Sequence, residues 1–331
     1  MPTARRRKVI LDTDPGVDDA LAILLALRSP ELDVVGITTI CGNVPVGQAT
    51  ENLFRILSLV DPPRGLLIGQ GAAAPLRRPL ETATHVHGAD GLGDLDQFTN
   101  QSGQPRYPRP VVPGRLPSAV ETWERCMRTH GPDLTLITLG PLTNLAQALQ
   151  RPAIVAKGFR SIIAMAGAIA VPGNVTRAAE FNVYVDPHAA EQVLQADLPL
   201  TLIPLDVTTK VTVSREAITK LTARARDPVG QFFADATGAA LDFADRVEGA
   251  AVFPFHDPLA VAVAIDPALV QLVPLHVAVE TEGPVALGAT LADRRRLRRE
   301  HQNRPNVQVA LRVQADRARR LITERLCRTS S

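Results

Sequence analysis

The sequence predicts an α/β fold, a single domain on a largely parallel central sheet covered by helices on both faces. Short apolar runs such as 8–11, 134–139 and 200–204 alternate with stretches of helical spacing along most of the chain. Strands apolar at nearly every position belong to sheets buried on both faces. The 331 residues, 45% of them apolar, suffice for a large core, and neither a repeat nor a linker-like break divides them. The expected domain therefore spans 1–331, with 1–7 as a disordered tail.

The elements follow in order. Residues 8–11 read as a buried strand, Pro15-Gly16 as a turn, and 18–28 as a helix carrying Leu21, Leu24, Leu25 and Leu27. A second unit has a strand at 32–40, a loop at Cys41-Gly42-Asn43 and a helix at 46–60, and 66–68 gives a third strand. Residues 71–117 are rich in Pro, Gly and Arg and contain HVHGADGLGD at 85–94. So long an irregular stretch inside a domain marks a functional or mobile segment. Helix 118–129 opens on Ser118 as N-cap with Glu121 three positions later. Then come a strand at 134–139, a helix at 142–149, and a strand at 159–165 leading into a hairpin that ends at Gly173-Asn174. Asp186-Pro187 starts a helix to 196, followed by the strand at 200–204. Beyond residue 214 helical spacing dominates, at 214–221, 229–247 and, from His256-Asp257-Pro258, to 264. Residues 273–282 and 306–313 alternate as strands, and 315–326 close the chain as a helix.

The stretch ILDTDPGVDDA, residues 10–20, places Asp12, Asp14, Asp18 and Asp19 directly after the first strand. Carboxylates that close repel one another, and a bound cation or water is the usual remedy. The carboxyl end of a strand is also where open α/β sheets bind ligands. The plainer alternative is a solvated turn at a helix N-terminus. Three further polar groups fall at strand ends or in the loops after them: Asn43, the segment NVTRAAEFN at 174–182, and His256-Asp257. Each alone is ordinary, a turn asparagine or a helix start with Asp257 as N-cap. Together they offer oxygen ligands for a hard cation, amides and carboxylates for a polyol, and one titratable imidazole.

Composition narrows the partners. A net charge of +2, from 36 basic and 34 acidic residues, gives no reason to expect nucleic acid or an anionic membrane. The basic clusters at 5–8 and 294–299 read as a chain end and a solvated loop. Cys41, Cys126 and Cys327 have no CxxC spacing and cannot all pair, which predicts a reduced, cytoplasmic setting. Asp12 cuts the first apolar run too early for a secretion signal, and no run reaches membrane-spanning length.

The motifs DTDPGVDDA, TTICGN, VHGADGLGD, LGPLTN, NVTRAAEFN followed by DPHAA, and HDPLAVA occur in this order. The chain thereby resembles the inosine–uridine preferring nucleoside hydrolases, from about residue 8 to the final helix. That resemblance implies the nucleoside hydrolase fold, with the active site at the carboxyl ends of the strands. It also implies a Ca2+-dependent N-ribohydrolase that cleaves ribonucleosides to free base and ribose, and an assembly of two or four copies. Carried over, it makes Asp14 the general base, and Asp14, Asp19, Asp257 and the Leu139 carbonyl the calcium ligands. Asp18 and Asn43 correspond to residues on the ribose hydroxyls. Asn174, Glu180 and Asn182 correspond to those on the 5-hydroxyl and 3-hydroxyl side. Met165 corresponds to a methionine near the sugar, with one extra residue before Gly173-Asn174. His256 corresponds to the histidine at the departing base, as proton donor or as orienter, and His87 to the loop histidine that closes over the base. In this family a tryptophan pair marks purine-specific members, and here Trp123 is the only tryptophan.

The residue chemistry agrees. Three carboxylates, a carbonyl, water and two sugar hydroxyls would reach calcium's preferred six to eight oxygens. A cation lowers the pKa of its water, and a carboxylate such as Asp14 can take the proton during attack on the anomeric carbon. The transition state resembles an oxocarbenium ion, which surrounding carboxylates and amide oxygens stabilise. Asp12 is expected to orient loop groups, Asp206 is not assigned to the site, and His85, Asp90 and Asp94 are expected to be loop structure. Cys41 is expected as a small buried residue and Trp123 as core. Two competing functions remain open: a non-catalytic nucleoside- or ribose-binding module on the same fold, and a haloacid-dehalogenase-like phosphatase. The latter also has an aspartate pair after its first strand, but it needs Thr or Val where Gly16 stands.

Overall fold

The computed structural model describes residues 6–151, 158–223, 227–295 and 303–327. The strands, in chain order, are β1 (Arg7–Thr13), β2 (Leu32–Thr39), β3 (Leu67–Gln70), β4 (Leu134–Thr138), β5 (Phe159–Ala164), β6 (Leu200–Leu202), β7 (Thr212–Ser214), β8 (Val252–Pro254), β9 (Val270–Leu275), β10 (Val277–Val279), β11 (Thr290–Ala292) and β12 (Val307–Val313). Eight of them form the central sheet in the order β3-β2-β1-β4-β5-β6-β12-β9. Every pairing in it is parallel except β12 with β9. The predicted fold class is the observed one.

Both faces are covered, and the alternation within β1 shows how. Val9 and Leu11 point into a core shared with the helices Val17–Leu27, Pro228–Glu248, His256–Ile265 and Ala315–Leu326. Ile10, between them, packs on the other side with Trp123, Leu145 and Val193. Successive strand residues point to opposite faces, so a strand lined on both must be apolar throughout. The helix Val17–Leu27 is buried at every position from Val17 to Ala26. It packs against His256–Ile265, which is buried from Asp257 to Ala264. Helices apolar all round are interior elements.

The strand order reverses direction at β1: β2 and β3 lie to one side, β4, β5 and β6 to the other. The loop after β1 therefore opens at a topological switch point, where the neighbouring crossovers diverge and leave a crevice.

Two expectations need correction. β1 begins at Arg7, and Arg6 Nε donates to the Leu32 carbonyl at 2.9 Å, so residues 6 and 7 are tied to the chain around β2 and are not part of a tail. Residues 1–5 lie outside the described residues, as do residues 296–299 of the second basic cluster. The stretch 273–282 is not one strand. The chain leaves the main sheet after β9, and β10 pairs antiparallel with β11. Alternation of side chains continues across such a change of partner and does not mark it.

Candidate active site

The acidic loop forms because β1 ends against β2 and β4 while the next helix starts at once. Leu139 N donates to Asp12 O at 2.7 Å and Ile40 N to Thr13 O at 3.0 Å, fastening the loop to both neighbours. Asp19 then closes the turn from inside the helix. Its Oδ1 accepts from Thr13 Oγ1 at 2.5 Å and Asp14 N at 3.3 Å, and its Oδ2 from Gly16 N at 2.9 Å. An acid in a first turn that receives backbone N–H groups is the usual N-terminal arrangement. Asp19 receives one donor more, Asn43 Nδ2 at 3.0 Å from the loop after β2.

Asp14 is fully buried and held on two sides. Its Oδ2 accepts from Asn43 N at 2.7 Å, and its Oδ1 has no partner. A Cβ on Gly42 would lie 2.0 Å from Oδ2, and one on Gly140 would lie 2.5 Å from Oδ1. Neither approach leaves room for a side chain, so the glycines of CGN and LGP are required by contact with this carboxylate. Burial, then the charge of Asp19, push the Asp14 carboxyl well above the usual carboxylate range, with the Asn43 N–H opposing and Asp18 adding to the rise.

Asp257 comes from the far side. The packing of His256–Ile265 on Val17–Leu27 sets its first turn beside the acidic loop, with Phe255 and not Asp257 as N-cap. Carboxylate oxygens of Asp18, Asp19 and Asp257 all lie within 4.8 Å of one another. Burial and its acidic neighbours raise the Asp257 carboxyl well above the usual range, and the same two causes push Asp18 up to about 8. Asp18 Oδ1, like Asp14 Oδ1, is buried without a partner. Buried acids that repel one another and leave oxygens unpaired are costly unless a cation joins them. The donor set is all oxygen, which suits a hard divalent ion.

One cavity of about 370 Å³ lies above these acids. Of the expected residues, Asp18, Asn43, His87, Leu139, Met165, Asn174, Glu180, Asn182, His256 and Asp257 line it; Asp14 and Asp19 are fully buried and do not. Several of them are already held by hydrogen bonds. Asn182 Nδ2 donates to Leu139 O at 2.6 Å and Met165 O at 3.0 Å, so the carbonyl expected as a metal ligand is also an acceptor for the sugar-side amide. Glu180 caps the helix Phe181–Val185, its carboxylate accepting from the N–H groups of Asn182 and Val183, and from Gly167 N at 2.9 Å. Burial raises its carboxyl against those three donors. Asn174, on the exposed rim, accepts from Phe181 N at 3.0 Å.

The two histidines differ. His256 Nδ1 lies 2.8 Å from Thr208 Oγ1, and burial and the nearby His87 lower its pKa to about 4. His87 Nδ1 accepts from Val17 N at 3.1 Å and lies 3.9 Å from Asp18 Oδ1. The loop histidine thus caps the helix that follows the acidic loop.

Trp123 and Cys41 are buried as expected, whereas Asp12 holds β2 and the helix Thr143–Ala148 and not loop groups. Asp12 Oδ1 accepts from Thr38 Oγ1 at 2.6 Å and Asn144 Nδ2 at 2.8 Å, and burial raises its carboxyl to about 7. Trp123 is core, its Nε1 donating to Thr38 Oγ1 at 3.0 Å. Cys41 is buried, its thiol pushed up to about 12 chiefly by desolvation. The hairpin expected after 159–165 is instead an irregular loop, and Asp206 holds it through the N–H groups of Ile169 at 2.8 Å and Ala170 at 2.9 Å. His85, expected as loop structure, instead lines the cavity's outer wall with Phe243, Phe253 and Thr209, which sequence reasoning did not name beyond assigning base preference to the segments 71–117 and 229–252; His85 meets the Phe243 ring edge-on at 5.9 Å. Sequence reasoning also missed Thr208, the partner of His256. Phe243 and Phe253 gave no signal, because an aromatic on an amphipathic helix or strand reads as core.

Residues 9–320 match the family model described as inosine-uridine preferring nucleoside hydrolase. The chain is 37% identical over 296 residues to the pyrimidine-specific ribonucleoside hydrolase RihA of Photobacterium profundum, covering 88% of this chain and 90% of that one. Among solved structures it is similar to a plant nucleoside hydrolase, the PpNRh1 enzyme, with a TM-score of 0.85 and 32% identity over 98% of this chain and 100% of that one. A purine-preferring ribonucleoside hydrolase from Gardnerella vaginalis gives a TM-score of 0.84 and 33% identity, over 97% and 98% of the two chains.

Proposed function

The chain belongs to the inosine-uridine preferring nucleoside hydrolase family, enzymes that cleave ribonucleosides to base and ribose, and we propose that in this protein Asp14 is the base that deprotonates the attacking water. The observation that carries this assignment is the unpartnered Oδ1 of Asp14, held between Gly42 and Gly140 next to Asp19. The family match over 9–320 also removes the phosphatase alternative.

Asp19 and Asp257, whose carboxylates meet with that of Asp18, would hold a calcium ion together with Asp14 and the Leu139 carbonyl, the last two on the family resemblance. When bound, the cation would offset the repulsion among these acids and acidify a water. Asp14 Oδ1 takes the proton of the water that attacks the anomeric carbon. Asp18 and Asn43 hold the ribose hydroxyls, Asn174, Glu180 and Asn182 hold its 5-hydroxyl and 3-hydroxyl side, and Met165 packs near the sugar. Glu180 and Asp18 face the positive charge that develops on the ring as the glycosidic bond breaks.

His256 faces the departing base. With burial lowering its pKa, the imidazole is neutral at neutral pH, and Thr208 fixes Nδ1, so Nε2 is the atom turned to the leaving group. In the tautomer whose Nδ1 accepts from Thr208 Oγ1, Nε2–H donates a hydrogen bond to the departing base. His87 and His85 close the outer side. The wall of histidines and phenylalanines, with Trp123 far off in the core, favours a base subsite that does not depend on tryptophan stacking.

The assembly is proposed as two or four copies, on the family resemblance. A cytoplasmic location is proposed on the free thiols of Cys41, Cys126 and Cys327. Among the described residues no helix is long and apolar enough to cross a membrane.

The test is release of ribose from inosine and from uridine, with calcium and with a chelator. Release with calcium and none with chelator is the expected result. Intact nucleosides in the presence of calcium would refute the proposal.

A further inference from the structure

A buried polar group lies beneath the histidine loop, where the reaction scheme does not use it. Asn52, on the helix Val46–Leu57, is fully buried. Its Nδ2 donates to Pro15 O at 3.0 Å and to Asp90 O at 2.8 Å, and Gln48 Nε2 donates to its Oδ1 at 2.8 Å. One amide therefore joins the acidic loop to the loop that carries His85 and His87. One helical turn on, Arg55, 2% exposed, donates to Asp90 Oδ2 at 3.2 Å and to Tyr107 O at 2.9 Å. Asp90 in turn gathers the loop: its Oδ1 accepts from Leu92 N at 2.8 Å and Asp94 N at 2.9 Å, its Oδ2 from Leu95 N at 2.8 Å. Gly91 has φ +79°, and a Cβ on it would lie 2.7 Å from Val44 Cγ1 and 3.0 Å from Asn52 Nδ2. The loop thus sits on Asn52 with no room between.

A buried arginine, asparagine and aspartate contribute little net stability compared with apolar residues of the same volume. What such a network can supply is a single position for the backbone it holds. The acidic loop has its own fastenings, through Asp19 to Thr13, Gly16 and Asn43. The histidine loop touches that loop through His87 Nδ1 and Val17 N and through Ala83 N, which donates to Asn43 O at 3.0 Å; Arg55 and the packing of His85 on Phe243 hold its other parts, and Asn52 is the side chain from outside both loops that bonds to each.

We infer that Asn52 is a positioning residue: it clamps the histidine loop to the acidic loop and so sets His85 and His87 against the departing base. This rests on the nucleoside hydrolase reading. Its consequence is selective. Chemistry at the sugar is run by acids whose loop keeps its fastenings through Asp19 when Asn52 is lost, whereas departure of a poor leaving group such as a nucleobase depends on the loop that Asn52 clamps.

The experiment compares two ribosides on the calcium-loaded enzyme. Inosine needs help at its base, while 4-nitrophenyl β-D-ribofuranoside releases a stable phenolate without it. In Asn52→Ala, kcat/KM for inosine should fall roughly thirtyfold. For the nitrophenyl riboside it should stay within about threefold. Gly91→Ala, which pushes the loop off Asn52 and leaves the amide in place, should show the same split and covers the case in which Asn52→Ala does not fold. Equal losses on both substrates, or no loss on either, would overturn the inference. Failure of the unaltered enzyme to release ribose from either riboside would instead refute the hydrolase reading, and needs no variant to detect.

Discussion

Asp19 and Asp257 bring carboxylate oxygens within 4.8 Å of each other from the first turns of two different helices. Each helix is almost wholly apolar, and their mutual packing leaves no freedom to separate the acids. The core thus forces together charges that repel, and the fold carries that strain so that a cation site stands ready.

Asp14 provides the first prediction. Asp14→Asn keeps the volume and removes the proton acceptor, so kcat for ribose release should fall by about a thousandfold or more. The metal-free variant should melt at or above the temperature of the unaltered protein, because a buried, repelled carboxyl has gone. Steady-state kinetics and calorimetry measure the two. Near-normal turnover would refute the role given to Asp14.

Glycine 42 carries the second. A Cβ there would stand 2.0 Å from Asp14 Oδ2 and 2.9 Å from Pro141 Cδ, while Gly140 lies against the opposite oxygen of the carboxylate. Gly42→Ala should therefore reduce kcat by about a hundredfold, since a displacement near one ångström at a reacting group has that effect. A variant with unchanged kcat would show that the carboxylate does not need this position.

Acidity links metal and stability. In the metal-free protein Asp14, Asp18 and Asp257 titrate above the usual carboxylate range, Asp18 at about 8. A carboxyl whose folded pKa is raised stabilises the fold at low pH, and that contribution is lost as pH climbs from about 4 through the raised value. The metal-free protein should lose stability over that window, up to about pH 8. A cation binds the ionised forms and competes with protons. The gain in melting temperature on adding calcium should thus be larger at about pH 8 than at about pH 5. A gain that does not depend on pH would contradict this.

Sugar choice gives the last. Asp18 and Asn43 line the cavity beside the proposed metal ligands, where the vicinal hydroxyls of a riboside would reach both. Inosine should exceed 2-deoxyinosine in kcat/KM by about a thousandfold or more, because buried polar groups are left unpaired when the hydroxyl is missing. Comparable rates on the two would remove Asp18 from the sugar.

The sequence by itself determined the parallel sheet, because strands lined on both faces carry apolar runs with few breaks, as Val9, Ile10 and Leu11 in β1 and Leu134, Leu136 and Ile137 in β4 show. It also determined the acid-bearing loop after β1, since four aspartates at a buried strand end are a local feature. Ser118 with Glu121, and Asp186 before Pro187, were legible as helix starts for the same reason: a cap is made by neighbours in the chain. Only the tertiary structure decided the rest. That Asp257 faces Asp19 follows from two helices packing. That Gly42 and Gly140 pinch Asp14 follows from β1 lying between β2 and β4. That Glu180 caps its own helix while lining the cavity, that Thr208 holds His256, and that Asn52 joins two loops are contacts between separate elements. Spacing along the chain reports which residues share a strand or a helix turn, and it carries no information about which turns meet.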